Sequence, residues 1–270
     1  MCILNKRQMG KKSNYASATV GIPLSANTLA KNYINEFDSW WRQYGSSIPH
    51  AILQRYSSGV TNNQIPCLEI SSSFKDISSE QIRVLFVNCN PSGSDESYYM
   101  AHSQSVGINK VAGFNDFFYY DNQDSHYDAC MRFVNELFKG DKHDFAMIDV
   151  FPLVKKDQST IKQKWLIKNK SQDLINAFDR LRSLFKQIVF DIKPTVIIVS
   201  NAFASSLFEQ GYLTDSIPTP STTGAYYLNV EFNGYETVAF CGGMLTGQHT
   251  MDRFSRERLI RDVRDYLNIP

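Results

Sequence analysis

Four short apolar runs decide what this chain can become: "RVLFVNCN" at 83–90, "DFAMIDVF" at 144–151, "PTVIIVSN" at 194–201 and "ETVAFCGG" at 236–243. Each is continuous rather than alternating, which is how strands buried on both faces read. Helical spacing fills the intervals. In "TLAKNYINEFDSWWRQYG" (28–45), Leu29, Tyr33, Ile34, Phe37, Trp40, Trp41 and Tyr44 recur along one stripe, with Thr28 as N-cap and Gly45 as stop. That aromatic stripe is taken as a core face in preference to a base-stacking surface. A second helix is expected in "DACMRFVNELFKG" (128–140), ending at Gly140. A third is expected in "SQDLINAFDRLRSLFKQIVFDIKP" (171–194), with Leu174, Ile175, Phe178, Leu181, Phe185, Ile188 and Val189 inward. It must stop near Lys193, because Pro194 disfavours helix in the residue before it. "YYLNVEFNGYETVAF" carries an Asn-Gly step between two β-type runs, a hairpin signal. Strands alternating with helices predict an α/β fold, a three-layer α/β/α arrangement around a central, mainly parallel four-stranded sheet. Residues 1–27 are expected to form a mobile polar tail, and 28–270 a single α/β domain with an N-terminal helical extension.

Charge and cysteine usage narrow the function classes. A formal net charge of +1 over 270 residues excludes a strongly basic nucleic-acid coat and a strongly acidic tail, but leaves room for a local basic patch. The five cysteines (Cys2, Cys67, Cys89, Cys130, Cys241) are widely spaced and contain no C-x-x-C. This argues against a zinc knuckle, an iron–sulfur cluster and a disulfide framework, and suggests a cytoplasmic protein with no metal or other cofactor. Cys89 and Cys241, lying in apolar runs, read as small buried hydrophobes. No stretch approaches the roughly 20 apolar residues that span a bilayer, and the N-terminus lacks a signal-peptide core, so no membrane association is expected.

Ligands of open α/β sheets bind beyond the carboxyl ends of the strands. The four runs deliver Asn88-Cys89-Asn90-Pro91-Ser92-Gly93-Ser94, then Asp149-Val150-Phe151-Pro152, then Ser200-Asn201, then "GGMLTGQHT" (242–250) before a helix opening near Asp252 or Ser255. Asparagine, aspartate and histidine side chains thus converge on one sheet edge. There is no nucleophile elbow, Walker loop or Gly-x-Gly-x-x-Gly, and the five histidines show no ligand spacing.

A strand ending in Asn-Pro, a second ending in a polar residue, then "PTVIIVSNAFASSLF", then a late histidine loop opening the last helix together resemble the uracil-DNA glycosylase superfamily. Residues 84–93 resemble its first motif, in the style of the mismatch-specific and single-strand-selective branches, and residues 240–254 resemble its second; the likeness covers roughly residues 75–268. It implies a DNA-repair-type glycosylase that flips a modified or mismatched base and hydrolyses its N-glycosidic bond without a metal, with single- or double-stranded DNA as partner. Such cleavage builds positive charge on the sugar and negative charge on the leaving base. By that likeness Asn90 places the attacking water, since an amide orients but cannot act as a general base. His249 donates to the developing oxyanion. Backbone N–H groups from Ser92 to Ser94 assist, and one of Tyr98, Tyr99, Phe114 or Phe117 stacks on the flipped base. Lys155, Lys156, Thr250, Arg253 and Arg256 would hold the nucleic acid. The lysines from Lys155 to Lys170 are either part of that grip or a solvated face.

The pattern departs from the family at two places. The uracil-reading position, an asparagine in much of the family, is matched by Asp149. An ionised carboxylate only accepts hydrogen bonds, so it suits a ring edge that presents donors rather than the O4 of uracil. After His249 come Thr250 and Met251 where the family has Pro-Ser, leaving Met244, Leu245 and Met251 to supply an apolar wedge. The departures keep two alternatives open: a nucleotide- or nucleic-acid-binding protein without catalysis, and an N-glycosidase of free nucleosides or nucleotides.

Overall fold

The computed structural model describes residues 35–37, 39–49, 71–72, 84–90, 125–139, 145–152, 158–166, 170–221, 227–245 and 250–270. Within them seven strands form one sheet: β1 (Ser71–Ser72), β2 (Val84–Asn88), β3 (Phe145–Asp149), β4 (Val196–Val199), β5 (Thr219–Pro220), β6 (Leu228–Phe232) and β7 (Tyr235–Cys241), in the order β1-β3-β2-β4-β7-β6-β5. The four apolar runs supply β3, β2, β4 and β7, which lie side by side and pair in parallel. The described residues of β2, β3 and β4 are buried almost throughout, as the unbroken apolar runs require.

The expected four-stranded sheet is therefore the parallel centre of a larger one. β1 adds antiparallel to β3, while β6 and β5 extend the other side antiparallel beyond β7. The β6–β7 hairpin turns on Asn233 and Gly234, both left-handed (φ 49 and 80), as an Asn-Gly turn of this kind needs. β1 and β5 have only two residues each, too few to leave a hydrophobic pattern in the sequence.

Among the described residues five helices accompany the sheet: α1 (Ser125–Leu137), α2 (Gln158–Leu166), α3 (Gln172–Ile192), α4 (Ala202–Glu209) and α5 (Arg253–Leu267). Ser171 caps α3 by accepting from the Leu174 N–H, and Lys193 ends it in the left-handed region (φ 49), one residue before Pro194. Its inward stripe is as expected except for Ile175, which is 37% exposed; Ala177, Leu184 and Ile192 complete the buried face instead. Ile175 follows Leu174 directly, about 100° around the helix, and so falls off the stripe. α1 begins at Ser125, three residues before the expected start.

Residues 35–37 and 39–44 are helical and run into a 3₁₀ turn at Gly45–Ser47. Phe37 and Trp40 are buried and stacked at 5.2 Å, and the Trp40 indole N–H donates to the Ala177 carbonyl at 2.9 Å. The aromatic stripe is core here; Thr28, Leu29, Tyr33 and Ile34, like the expected tail 1–27, lie outside the described residues.

Alternation assigns the two sheet faces to different helices. Leu85, Val87, Ile148 and Val199 pack with the N-terminal helical residues, α2, α3 and α4. Phe86, Met147, Ile198 and Phe240 pack with α1 and α5. Helices thus cover both faces of a mixed, centrally parallel sheet. Among the described residues no helix is long and apolar enough to cross a membrane.

Candidate functional site

The carboxyl edge of the four parallel strands is held rigidly beyond their last regular residues. Val150 N–H donates to Asn88 O at 3.0 Å, Phe151 N–H to Cys89 O at 2.8 Å, Ser200 N–H to Val87 O at 2.9 Å and Gly242 N–H to Val199 O at 2.9 Å. The turn after β2 therefore leaves the sheet at a fixed point. Register places Asn88 opposite Asp149. One step past Val87↔Val199 and Val199↔Cys241, Ser200 and Gly242 continue the same row. Strand alternation then puts Asp149, Asn88, Ser200 and Gly242 on the face covered by α1 and α5.

Buried polar side chains crowd this edge: Asn90, Asp149, Ser200 and Asn201. The Ser200 hydroxyl donates to Asn88 Oδ1, joining neighbouring strands through their side chains. Asn201 caps α4, its Oδ1 accepting from the N–H groups of Phe203 (2.9 Å) and Ala204 (3.1 Å). Its amide N–H₂ donates to Gln158 Oε1 at 2.7 Å, tying the start of α2 to the sheet edge. Asn88 and Ser200 were not among the expected site residues. Their places at the ends of apolar runs were visible, but the bond between them depends on strand register.

Cys89 sits in the middle of this group and is chemically quiet. Burial first, and the negative charge of Asp149 second, push its thiol far above the ordinary range, so it stays protonated. Burial likewise pushes Cys241 up to about 12, the nearby Ser205 hydroxyl opposing and the Glu209 charge adding to the rise. Neither cysteine is a thiolate nucleophile at neutral pH. Among the described residues no group of three or more His, Cys, Asp or Glu is placed to hold a metal ion.

The loop of the second motif is closed at its base. Met244 and Thr250 form a parallel bridge, and Met251 N–H donates to Met244 O at 2.8 Å. Gly242 and Gly243 permit this: a Cβ on either would lie 3.3 Å from Met251 atoms. Asp252 then caps α5, accepting from the hydroxyl (2.7 Å) and backbone N–H (3.0 Å) of Ser255, which holds its carboxyl below the usual range. The bridge fixes both ends of the segment carrying His249 beside the end of β7. His249 itself, with Ser92, Tyr98, Tyr99, Phe114, Phe117, Lys155 and Lys156, lies outside the described residues.

The apolar residues at the base of this loop and the arginines of α5 have the following surroundings. Leu245 is buried and Met251 packs against the α1/α5 core, because the closing bridge turns both inward; the large apolar side chain left outside at this place is Phe254, 80% exposed. Arg253 pairs with Glu257 at 2.7 Å and Arg256 with Glu136 of α1 at 2.9 Å, so a carboxylate already accompanies each cation. Thr250 is exposed at the bridge.

Compared with models of known protein families the chain matches none, and among curated proteins none matches it either.

Proposed function

We propose that this chain is an N-glycosidase of the uracil-DNA glycosylase-like kind, with the matching α/β fold, acting on a modified or mismatched base swung out of a DNA strand. One observation carries the reading: the strand order β3-β2-β4-β7 sets the segments bearing Asp149 and Asn90 side by side and starts the His249 loop from β7, one strand beyond β4. These segments are far apart in sequence, and the sheet delivers all three at its carboxyl edge, where such folds bind ligands.

In this reading Asn90 orients water toward the anomeric carbon as the glycosidic bond lengthens. Its amide has no proton to lose or gain at neutral pH, so it supplies direction and not base strength. His249 donates to the oxygen of the departing base. Asp149, an acceptor only, receives a ring N–H or exocyclic amino group, which favours bases with a donor edge over uracil. The carboxylate partners of Arg253 and Arg256 favour the second reading, in which a free nucleotide is taken without a duplex grip.

The test is incubation with single- and double-stranded oligonucleotides bearing uracil, hypoxanthine, xanthine or a methylated base, followed by alkaline detection of abasic sites. Abasic product is expected from at least one amino- or imino-bearing base, and Asn90→Ala should lower its rate by about 10²–10³, the usual loss when a positioned polar group is removed from a transition state. No abasic product from any base, or an undiminished rate in Asn90→Ala, refutes the proposal.

A further inference from the structure

A lysine face borders the same sheet edge on the side of α2. From residue 158 to residue 172 the chain has no acidic residue and carries Lys162, Lys164, Lys168 and Lys170. Ile161 and Trp165, four apart, are the buried anchors of α2, while Lys162 is exposed and Lys164 and Lys170 are half-buried. Lys162 lies one turn beyond Gln158, whose side chain bonds to Asn201 at the edge. Its ammonium sits 5.8 Å from the centre of the Phe203 ring, two residues past Asn201. Lys170 sits 5.8 Å from the Trp165 ring, and that ring meets Phe151, two residues past Asp149, edge-on at 5.1 Å.

Among the described residues none of Lys162, Lys164 and Lys170 forms an ion pair with a carboxylate, whereas Arg253 and Arg256 on the opposite side of the edge both do. Aromatic rings beneath two of the lysines fix the positions of the cations without cancelling their charge. The two flanks of the edge are therefore unequal for an anion.

We propose that Lys162, Lys164 and Lys170 form the track for the phosphate backbone of a single strand of nucleic acid, which thus approaches the edge over α2 and not over α5. The proposal rests on the edge being a nucleic-acid site, and it deepens that reading by assigning the strand's path. Lys162 and Lys164 stand on α2 and Lys170 four residues beyond its end, so the three cations are spread along the chain. The rings under the lysines are themselves buried, so the contact is with phosphate charge and tolerates any base sequence.

The experiment measures how binding of a fluorescein-labelled oligothymidylate to the full chain falls with salt. Each phosphate contact on a single strand contributes about 0.7 to the slope of log K against log salt. Changing Lys162, Lys164 and Lys170 together to glutamine should reduce that slope by about 2, while changing all three to arginine should keep it. Arg253→Gln with Arg256→Gln should leave the slope in place. The proposal is overturned if the glutamine triple leaves the slope intact, if the arginine pair removes it, or if the oligomer binds no more tightly than thymidine monophosphate. Base release is scored separately. A slope that drops as expected in a protein that releases no base keeps the track and sinks the glycosidase; base release with a slope indifferent to the lysines does the reverse.

Discussion

In the proposed reaction, Asp149 is the residue on which base preference would turn. It ends a strand with no exposed residue, stands opposite Asn88 in register, and raises the neighbouring Cys89 thiol through its charge. An aspartate at this place can only accept from a base, whereas an asparagine both accepts and donates. Asp149→Asn should therefore extend base release to uracil, by at least tenfold over the parent protein, and reduce release of the amino-bearing base. Rates on matched oligonucleotides differing only in that base measure it, and a variant whose preference is unchanged removes Asp149 from the recognition edge. Asn90 and Asp149 were legible in the sequence because each closes an apolar run, and a polar residue there must lie at a sheet edge. The Ser200–Asn88 bond was not legible: it joins residues 112 apart, and only the parallel pairing of β2 with β4 brings them together.

Among the elements, α4 shows how the edge is braced. Its N-cap Asn201 accepts from two backbone N–H groups and donates to Gln158, so one side chain fixes both the start of α4 and the start of α2. Asn201→Ala should cost about 2 kcal/mol, roughly 1 for the cap and about 1 for the part-buried bond to Gln158. Asn201→Ser keeps an acceptor for the cap but is too short for Gln158, so it should cost only about 1 kcal/mol. Urea midpoints at unchanged m distinguish the two, and equal losses would show that the Gln158 bond contributes nothing. Long elements were readable in advance. α3 announced itself by its stripe and by Pro194, and the structure ends it at Lys193 in the left-handed region. α2 was read only as a basic stretch, since two inward residues, Ile161 and Trp165, make too short a stripe to set a period.

At the scale of the whole molecule, the parallel centre of the sheet was legible and its antiparallel margins were not. Four runs buried on both faces stand out in composition, but β1 and β5 are backbone pairings two residues long with little side-chain signature. What holds the β5–β6 margin to the rest is partly electrostatic. Asp215, in the segment leading to β5, accepts from Lys186 of α3 at 2.7 Å and from the backbone N–H of Asn233 in the hairpin turn, while its own N–H donates to Glu231 O at 2.9 Å. Burial alone would raise this carboxyl. The hydrogen bonds from Lys186 and Asn233 and the Lys186 charge together outweigh it, and the net direction is down from the ordinary value. A carboxyl whose pKa is lower folded than unfolded stabilises the fold above its unfolded pKa, about 3.9, and that contribution disappears as pH falls from there through the folded value. Asp215→Asn should therefore be less stable than the parent at pH 7, with the difference narrowing below about pH 4. Urea unfolding of both proteins across that range supplies the comparison. A difference that persists undiminished into acid would mean that Asp215 joins α3 to the hairpin by shape and hydrogen bonding alone, and that its charge adds nothing to the sheet's outer margin.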